Sequence, residues 1–172
     1  MVRASSDATP ELRRARIRAT LLWVALGVAI ALADQATKRL ISAWLMPGEG
    51  RSVTGFFNIV LVFNRGAAFS VLAGASGWQR EFFAGIALAA SAVIVMLLAR
   101  NASDRWFCTG LSFILGGALG NLWDRVVLGQ VVDFLDFHAF GYHWPAFNLA
   151  DSAITVGAAL LILDAFRATR VP

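Results

Sequence analysis

The chain has 172 residues, 58% of them hydrophobic and only 15% charged, with a mean hydropathy of 0.66. That balance lies outside the range of soluble domains and assigns the chain to a bilayer as one domain, residues 1–172, since no linker, charge run or internal repeat divides it. The formal net charge of +4 sits in basic residues that flank apolar runs, so nucleic acid is not an expected partner, and the single cysteine, Cys108, excludes an internal disulfide or a multi-cysteine metal site.

In chain order, residues 1–12 read as a disordered cytoplasmic tail, and the first apolar run follows from Ala19 to Ala33. The basic arm, the apolar stretch and Ala31-Leu32-Ala33 together imitate a secretory signal with a small-residue cleavage site. Cleavage is not expected, because Asp34-Gln35 and Lys38 just beyond it look functional. A turn-rich segment comes next, residues 46–80, containing Pro47, Gly48, Gly50, Gly55, Gly74 and Gly77. Within it, Ser52 to Val62 is rich in Val, Ile and Phe, which favours short strands, with Phe69 to Leu72 as a pairing candidate. Two further uncharged runs, Phe82 to Ala99 and Trp106 to Trp123, precede a shorter connection from Arg125 to about Ala146. The last run, Ser152 to Leu163, extends in both directions. Each run approaches the ~20 residues that a helix needs to cross ~30 Å of hydrocarbon. The expected fold is therefore an all-α membrane protein of four transmembrane helices, with a small extracytoplasmic β-sheet in the first outer loop.

Arg3, Arg13, Arg14, Arg16 and Arg18, the pair Arg100 and Arg105, and Arg167 with Arg170 fall on one side of such a bundle. The excess of cations makes that side cytoplasmic, with both termini inside, although Arg51, Arg65 and Arg80 remain on the other side. Contact with anionic membrane lipid is the natural use of the excess charge. Trp44, Trp78 and Trp144 stand near span ends, where aromatic side chains anchor at the interface.

Charged groups inside a span cost about 2.5 kcal/mol or more even on lenient insertion scales, so carboxylates there need a reason. Asp34, Asp124, Asp133 and Asp151 all fall at or beside the outer ends of spans and are expected to converge on one level. Asn121 can share a helix face with Asp124 or Arg125, and Asn148 with Asp151. Two adjacent carboxylates do not both ionise cheaply, so one holds a proton while the other acts as base, the requirement for activating water against a peptide carbonyl. Asp136, three residues from Asp133, competes with it, and spacing does not separate the two. Asp34 and Asp124 serve equally well as partners of Lys38 or Arg125 that hold helices together. Asp164 reads as a headgroup-level residue. His138 and His143 have the wrong spacing for a helical zinc pair, and no nucleophile elbow frames a serine.

Five segments resemble the motifs of the lipoprotein signal peptidases. They are Asp34-Gln35-Ala36-Thr37-Lys38, Asn64-Arg65-Gly66-Ala67-Ala68-Phe69-Ser70, Gly117 to Arg125, Val131-Val132-Asp133-Phe134, and Phe147-Asn148-Leu149-Ala150-Asp151. The likeness runs from about Thr20 to Phe166. It implies Asp133 and Asp151 as the catalytic pair, Asn64, Asn121, Arg125 and Asn148 around the substrate, and Asp34, Lys38 and Asp124 as structural support. It further implies a diacylglyceryl-modified prolipoprotein as substrate, cut just before the lipidated cysteine at the outer leaflet of the bacterial inner membrane. No metal or cofactor is implied, because water is the nucleophile, and a monomer is expected. Without the resemblance, an ion-coupled transporter and a structural subunit are the competing readings.

Overall fold

The computed structural model describes residues 9–66 and 78–168. Four helices among them are long and apolar enough to cross a membrane, so the chain is a multi-pass membrane protein. Helix α1 spans Pro10–Trp44, α2 Gln79–Arg100, α3 Arg105–Leu128 and α4 Leu149–Ala168. All four expected runs fall within them. Each helix is longer than its apolar run because the polar flanks keep their backbone hydrogen bonds. The first begins at Pro10, where the ring's missing N–H costs nothing and the Thr9 hydroxyl accepts from the Leu12 N–H. Residues 10–12 are therefore helical, a correction to the tail expected over 1–12. The Asp104 side chain caps α3 by accepting from the Phe107 N–H at 3.1 Å, and Gly129 ends it in the left-handed region at φ 75°.

Half of the most apolar stretch of α3 is buried, against 17% or less in the other three helices, so α3 is the centre of the bundle. Glycines make this possible. A Cβ on Gly116 would meet the Gly27 carbonyl and Ile30 of α1 at 2.7 and 2.6 Å, and one on Gly110 would meet the Gly157 carbonyl of α4 at 2.9 Å. Backbones approach this closely only where side chains are absent, the packing that membrane helices use in place of a hydrophobic driving force. Cys108, Leu111 and Leu115 of α3 join Ile94 and Leu98 of α2 in the largest apolar cluster.

At the end of the bundle where α1 finishes lies a small antiparallel sheet of order β1-β2-β3-β4. Strands β1 (Gly50–Thr54) and β2 (Phe57–Asn64) form the hairpin expected from Ser52 to Val62. Strands β3 (Val131–Ala139) and β4 (Tyr142–His143) come from the connection between α3 and α4, with Asn64 opposite Val131 and Val62 opposite Asp133. The sheet is thus shared between both connections at this end. That corrects both the placement of the sheet in the first loop alone and the all-α label. The reason is physical: a lone two-stranded hairpin is marginal in water, and β3 supplies the missing neighbour for β2. Phe140 and Gly141, both at positive φ, form the two-residue turn into β4. Leu45, Leu61 and Val132 pack together and fasten the sheet to the end of α1. The proposed pairing of Phe69 to Leu72, and the glycines Gly74 and Gly77, lie outside the described residues. Trp44, Trp78 and Trp144 all stand at this end of the bundle and are exposed.

The close approach of α3 and α4 is testable. Gly157→Val pushes a side chain into the Gly110 carbonyl and Ile114, and should destabilise the bundle by about 1–3 kcal/mol, the usual cost of overpacking. Gly85→Val, where nothing lies within 4 Å, should leave the thermal midpoint in detergent unchanged.

Candidate active site

The site is assembled around a lysine. Lys38 on α1 is 2% exposed, and its ammonium lies 2.8 Å from Asp34 Oδ2, 2.9 Å from Asp124 Oδ2 and 2.9 Å from Asn121 Oδ1. Three N–H donors meet three acceptors, which is the condition for burying an ammonium without a large loss. Each acceptor also reaches a further element. Asp34 Oδ1 accepts the Ala150 N–H at the start of α4 (2.9 Å), and Asp124 Oδ2 accepts the Val132 N–H of β3 (3.1 Å). Gln35 donates to Asp124 Oδ1 at 2.8 Å and to the Gly120 carbonyl at 3.1 Å. Gln35 was read with Asp34 and Lys38 as functional and lies in the first of the five motifs, but no role was expected of it.

From this knot, amides lead to the second pair of carboxylates. Asn121 donates to Asp151 Oδ1 at 2.8 Å. Asn148, with no exposed surface, donates from its side chain to Asp133 Oδ1 (2.7 Å), Asn121 Oδ1 (3.2 Å) and the Val132 carbonyl (3.1 Å). Its backbone N–H reaches Asp151 Oδ2 at 3.3 Å, and its Oδ1 accepts the Asp151 N–H at 2.9 Å. Asn64 completes the group by donating to Asp133 Oδ2 at 3.1 Å while its own Oδ1 accepts the Gly66 N–H. Asp34, Asp124, Asp133 and Asp151 are therefore brought into one continuous network. The Asn121 side chain does not pair with Asp124 or Arg125 as the spacing suggests. Arg125 donates instead to the Asn121 and Gly66 carbonyls at 3.2 and 3.1 Å and lies over the Phe83 ring.

The two pairs of carboxylates differ in one respect. Lys38 forms salt bridges with Asp34 and Asp124, whereas among the described residues no salt bridge reaches Asp133 or Asp151. Burial, and next the neighbouring Asp151 charge, push the Asp133 carboxyl up to about 7. Asp136 lies elsewhere: three residues along β3 it emerges on the other face, accepting from Asn58 Nδ2 at 2.8 Å and pairing with His143 Nδ1 at 2.9 Å. Burial opposes its ionisation, but these bonds prevail and hold it below the ordinary carboxylate value. The His138 ring stacks on His143 with centroids 4.9 Å apart, and no cluster of three potential metal ligands occurs among the described residues. Asp164, thirteen residues beyond Asp151, is about 20 Å away along α4.

Uncompensated carboxylates gathered by amides at the end of a spanning bundle are the arrangement of a membrane aspartic peptidase. The profile of the family described as signal peptidase (SPase) II matches residues 26–167. A lipoprotein signal peptidase of Ralstonia nicotianae is 58% identical over 148 residues, covering 86% of each chain, and one of Cupriavidus necator is 54% identical over 168 residues, covering 96% of each. A solved bacterial membrane enzyme, determined by the in meso method at 2.3 Å resolution, superposes with a TM-score of 0.77 at 34% identity, over 87% of this chain and 90% of that one. The chain belongs to the signal peptidase II family.

Two measurements probe the electrostatics. Lys38→Met leaves two buried carboxylates without their cation and should cost about 3–5 kcal/mol in thermal unfolding. The folded-state value of about 7 for Asp133 lies above its ordinary 3.8, so the folded protein holds this proton longer than the unfolded chain does. The stability that this proton contributes is full below pH 3.8 and is lost as pH rises towards about 7. The thermal midpoint should fall across that window in the wild type and vary less in Asp133→Asn.

Proposed function

We propose that the chain removes signal peptides from diacylglyceryl-modified bacterial prolipoproteins, cutting just before the lipidated cysteine, with Asp133 and Asp151 as the catalytic pair. The single observation that carries this assignment is the contrast in compensation. Asp34 and Asp124 are closed around Lys38, while Asp133 and Asp151 meet amide donors and, among the described residues, no salt bridge. Family membership supports the substrate class.

In this mechanism one proton is shared by the pair. Asp133, the more deeply buried member, carries it and donates to the peptide carbonyl oxygen. Asp151, ionised and half-exposed, takes a proton from water as that water attacks the carbonyl carbon. A tetrahedral intermediate forms, and its collapse breaks the C–N bond as Asp151 passes its proton to the departing amine of the lipidated cysteine and Asp133 recovers one from a hydroxyl of the intermediate. Asn121 and Asn148 act as positioning residues. Asn148 was expected against the substrate, but it has no surface to offer one; its side-chain amide donates to Asp133 and its backbone N–H to Asp151. Arg125, beside Phe83 and the Gly66 carbonyl, and Asn64 remain the candidates for substrate contact. A lipid-bearing substrate keeps its acyl chains in hydrocarbon while its scissile bond reaches water. The outer leaflet boundary of the inner membrane, with both termini cytoplasmic, satisfies this, and a single domain acting as a monomer suffices.

Cleavage of a diacylglyceryl-modified prolipoprotein by purified protein in detergent tests the assignment. Asp133→Asn and Asp151→Asn should lose at least about a thousandfold in kcat, the order expected when a member of an acid–base pair is removed, while Asp136→Asn retains activity. The rate should decline above about pH 7 as the Asp133 proton is lost. Full activity in either of the first two variants would refute the catalytic pair.

A further inference from the structure

Between α1 and α3 runs a groove of about 510 Å³ walled by Val28, Ala31, Leu32, Leu119, Leu122 and Trp123. None of Asn64, Asp133, Asn148 or Asp151 lines it, so it stands apart from the Asp133–Asp151 pair. Gln35, Arg39 and Trp123 are shared with a second hollow of about 390 Å³, which passes the Lys38–Asp124 ion pair and Ser42 and ends at Leu128, the last residue of α3. The two make one furrow, running from the hydrocarbon-level part of the bundle to its sheet-bearing end.

Arg39 stands at the junction. It is exposed and lies five residues before the end of α1 at Trp44, about 7 Å inside the helix terminus. Among the described residues it has no carboxylate within salt-bridge distance and no hydrogen-bond partner. The acids at this level, Asp34 and Asp124, are already closed around Lys38. A guanidinium on the lipid-facing side of a span, this near the helix end, reaches the headgroup level, and no described residue supplies it with a counter-charge there. Its planar fork matches two oxygens of a phosphate, and the apolar wall below it matches an acyl chain.

We propose that this furrow binds one membrane phospholipid, with its phosphate on Arg39 and an acyl chain along the α1–α3 wall. A neutral diacylglyceryl group offers Arg39 no charge, so the site discriminates phospholipid from the lipid carried by the substrate. Because Gln35 both lines the furrow and holds Asp124, an occupied furrow braces the frame of the carboxylate site and raises the stability of the protein.

Native mass spectrometry of the full chain in detergent, loaded with phosphatidylglycerol, phosphatidylethanolamine or diacylglycerol, tests this. Wild type should retain one copy of either phospholipid and no diacylglycerol. Arg39→Gln should weaken phospholipid retention about tenfold, the loss of one charge-assisted contact. Ala36→Phe, which fills the furrow from an exposed position, should weaken it as well, whereas Arg51→Gln, an exposed cation at the same end outside the furrow, should not. Phosphatidylglycerol should raise the thermal midpoint of wild type and leave that of Arg39→Gln unchanged. Retention of diacylglycerol equal to that of phospholipid, undiminished retention in Arg39→Gln, or an equal loss in Arg51→Gln would overturn the proposal.

Discussion

The buried ammonium of Lys38 is the constraint on which the rest of the structure depends. An unpaired charge in this setting would cost several kcal/mol, and it is tolerated because each of its three N–H groups meets an oxygen at 2.8–2.9 Å. Those three acceptors belong to α1 and α3, and their remaining atoms reach the first turn of α4, the start of β3 and Asp151. One cation therefore sets the relative positions of three helices and a strand. The Gln35 amide and two backbone N–H groups also donate to the two carboxylates that share this lysine.

That knot closes only because the helices come near enough. Gly116 and Gly120 bring α3 against α1 at Ile30 and Asp34, and Gly110 faces Gly157 across the α3–α4 contact. Small residues here serve two purposes. They supply the close packing that associates helices in lipid, and they shorten the distance that the polar side chains have to span.

The same residue type then performs two kinds of work according to whether a cation lies within reach. Asp34 and Asp124 meet Lys38 and hold the frame. Asp133 and Asp151 meet Asn64, Asn121 and Asn148 instead. Burial first, and next the neighbouring Asp151 charge, outweigh the hydrogen bonds from Asn64 and Asn148 that favour the ionised form, and the Asp133 proton persists near neutral pH. Asp136, also buried but with Asn58 and His143 beside it on the other face of β3, is held in its ionised form by those hydrogen bonds.

Much of this was legible in the chain. The four spans were readable because a helix that crosses hydrocarbon must be apolar along its own length, a property local to the sequence. The convergence of Asp34, Asp124, Asp133 and Asp151 followed from their places at span ends, and the five motifs pointed to the family. What the chain did not disclose are the pairings made across it. The Val131–Ala139 segment reads as a motif, and only the presence of β2, whose second edge was open, makes it a strand. The partners of Asn121 lie 83 and 30 residues away, so helix spacing suggested the wrong ones. Asp133 and Asp136 were equivalent candidates until the pleat of β3 sent them to opposite faces, one to the buried amides and one to a histidine. The sequence by itself determined where apolar and charged groups fall along each helix, because hydropathy needs no partner. The tertiary structure alone decided which carboxylates form salt bridges and which are left with amides, because that depends on distances between residues far apart in the chain.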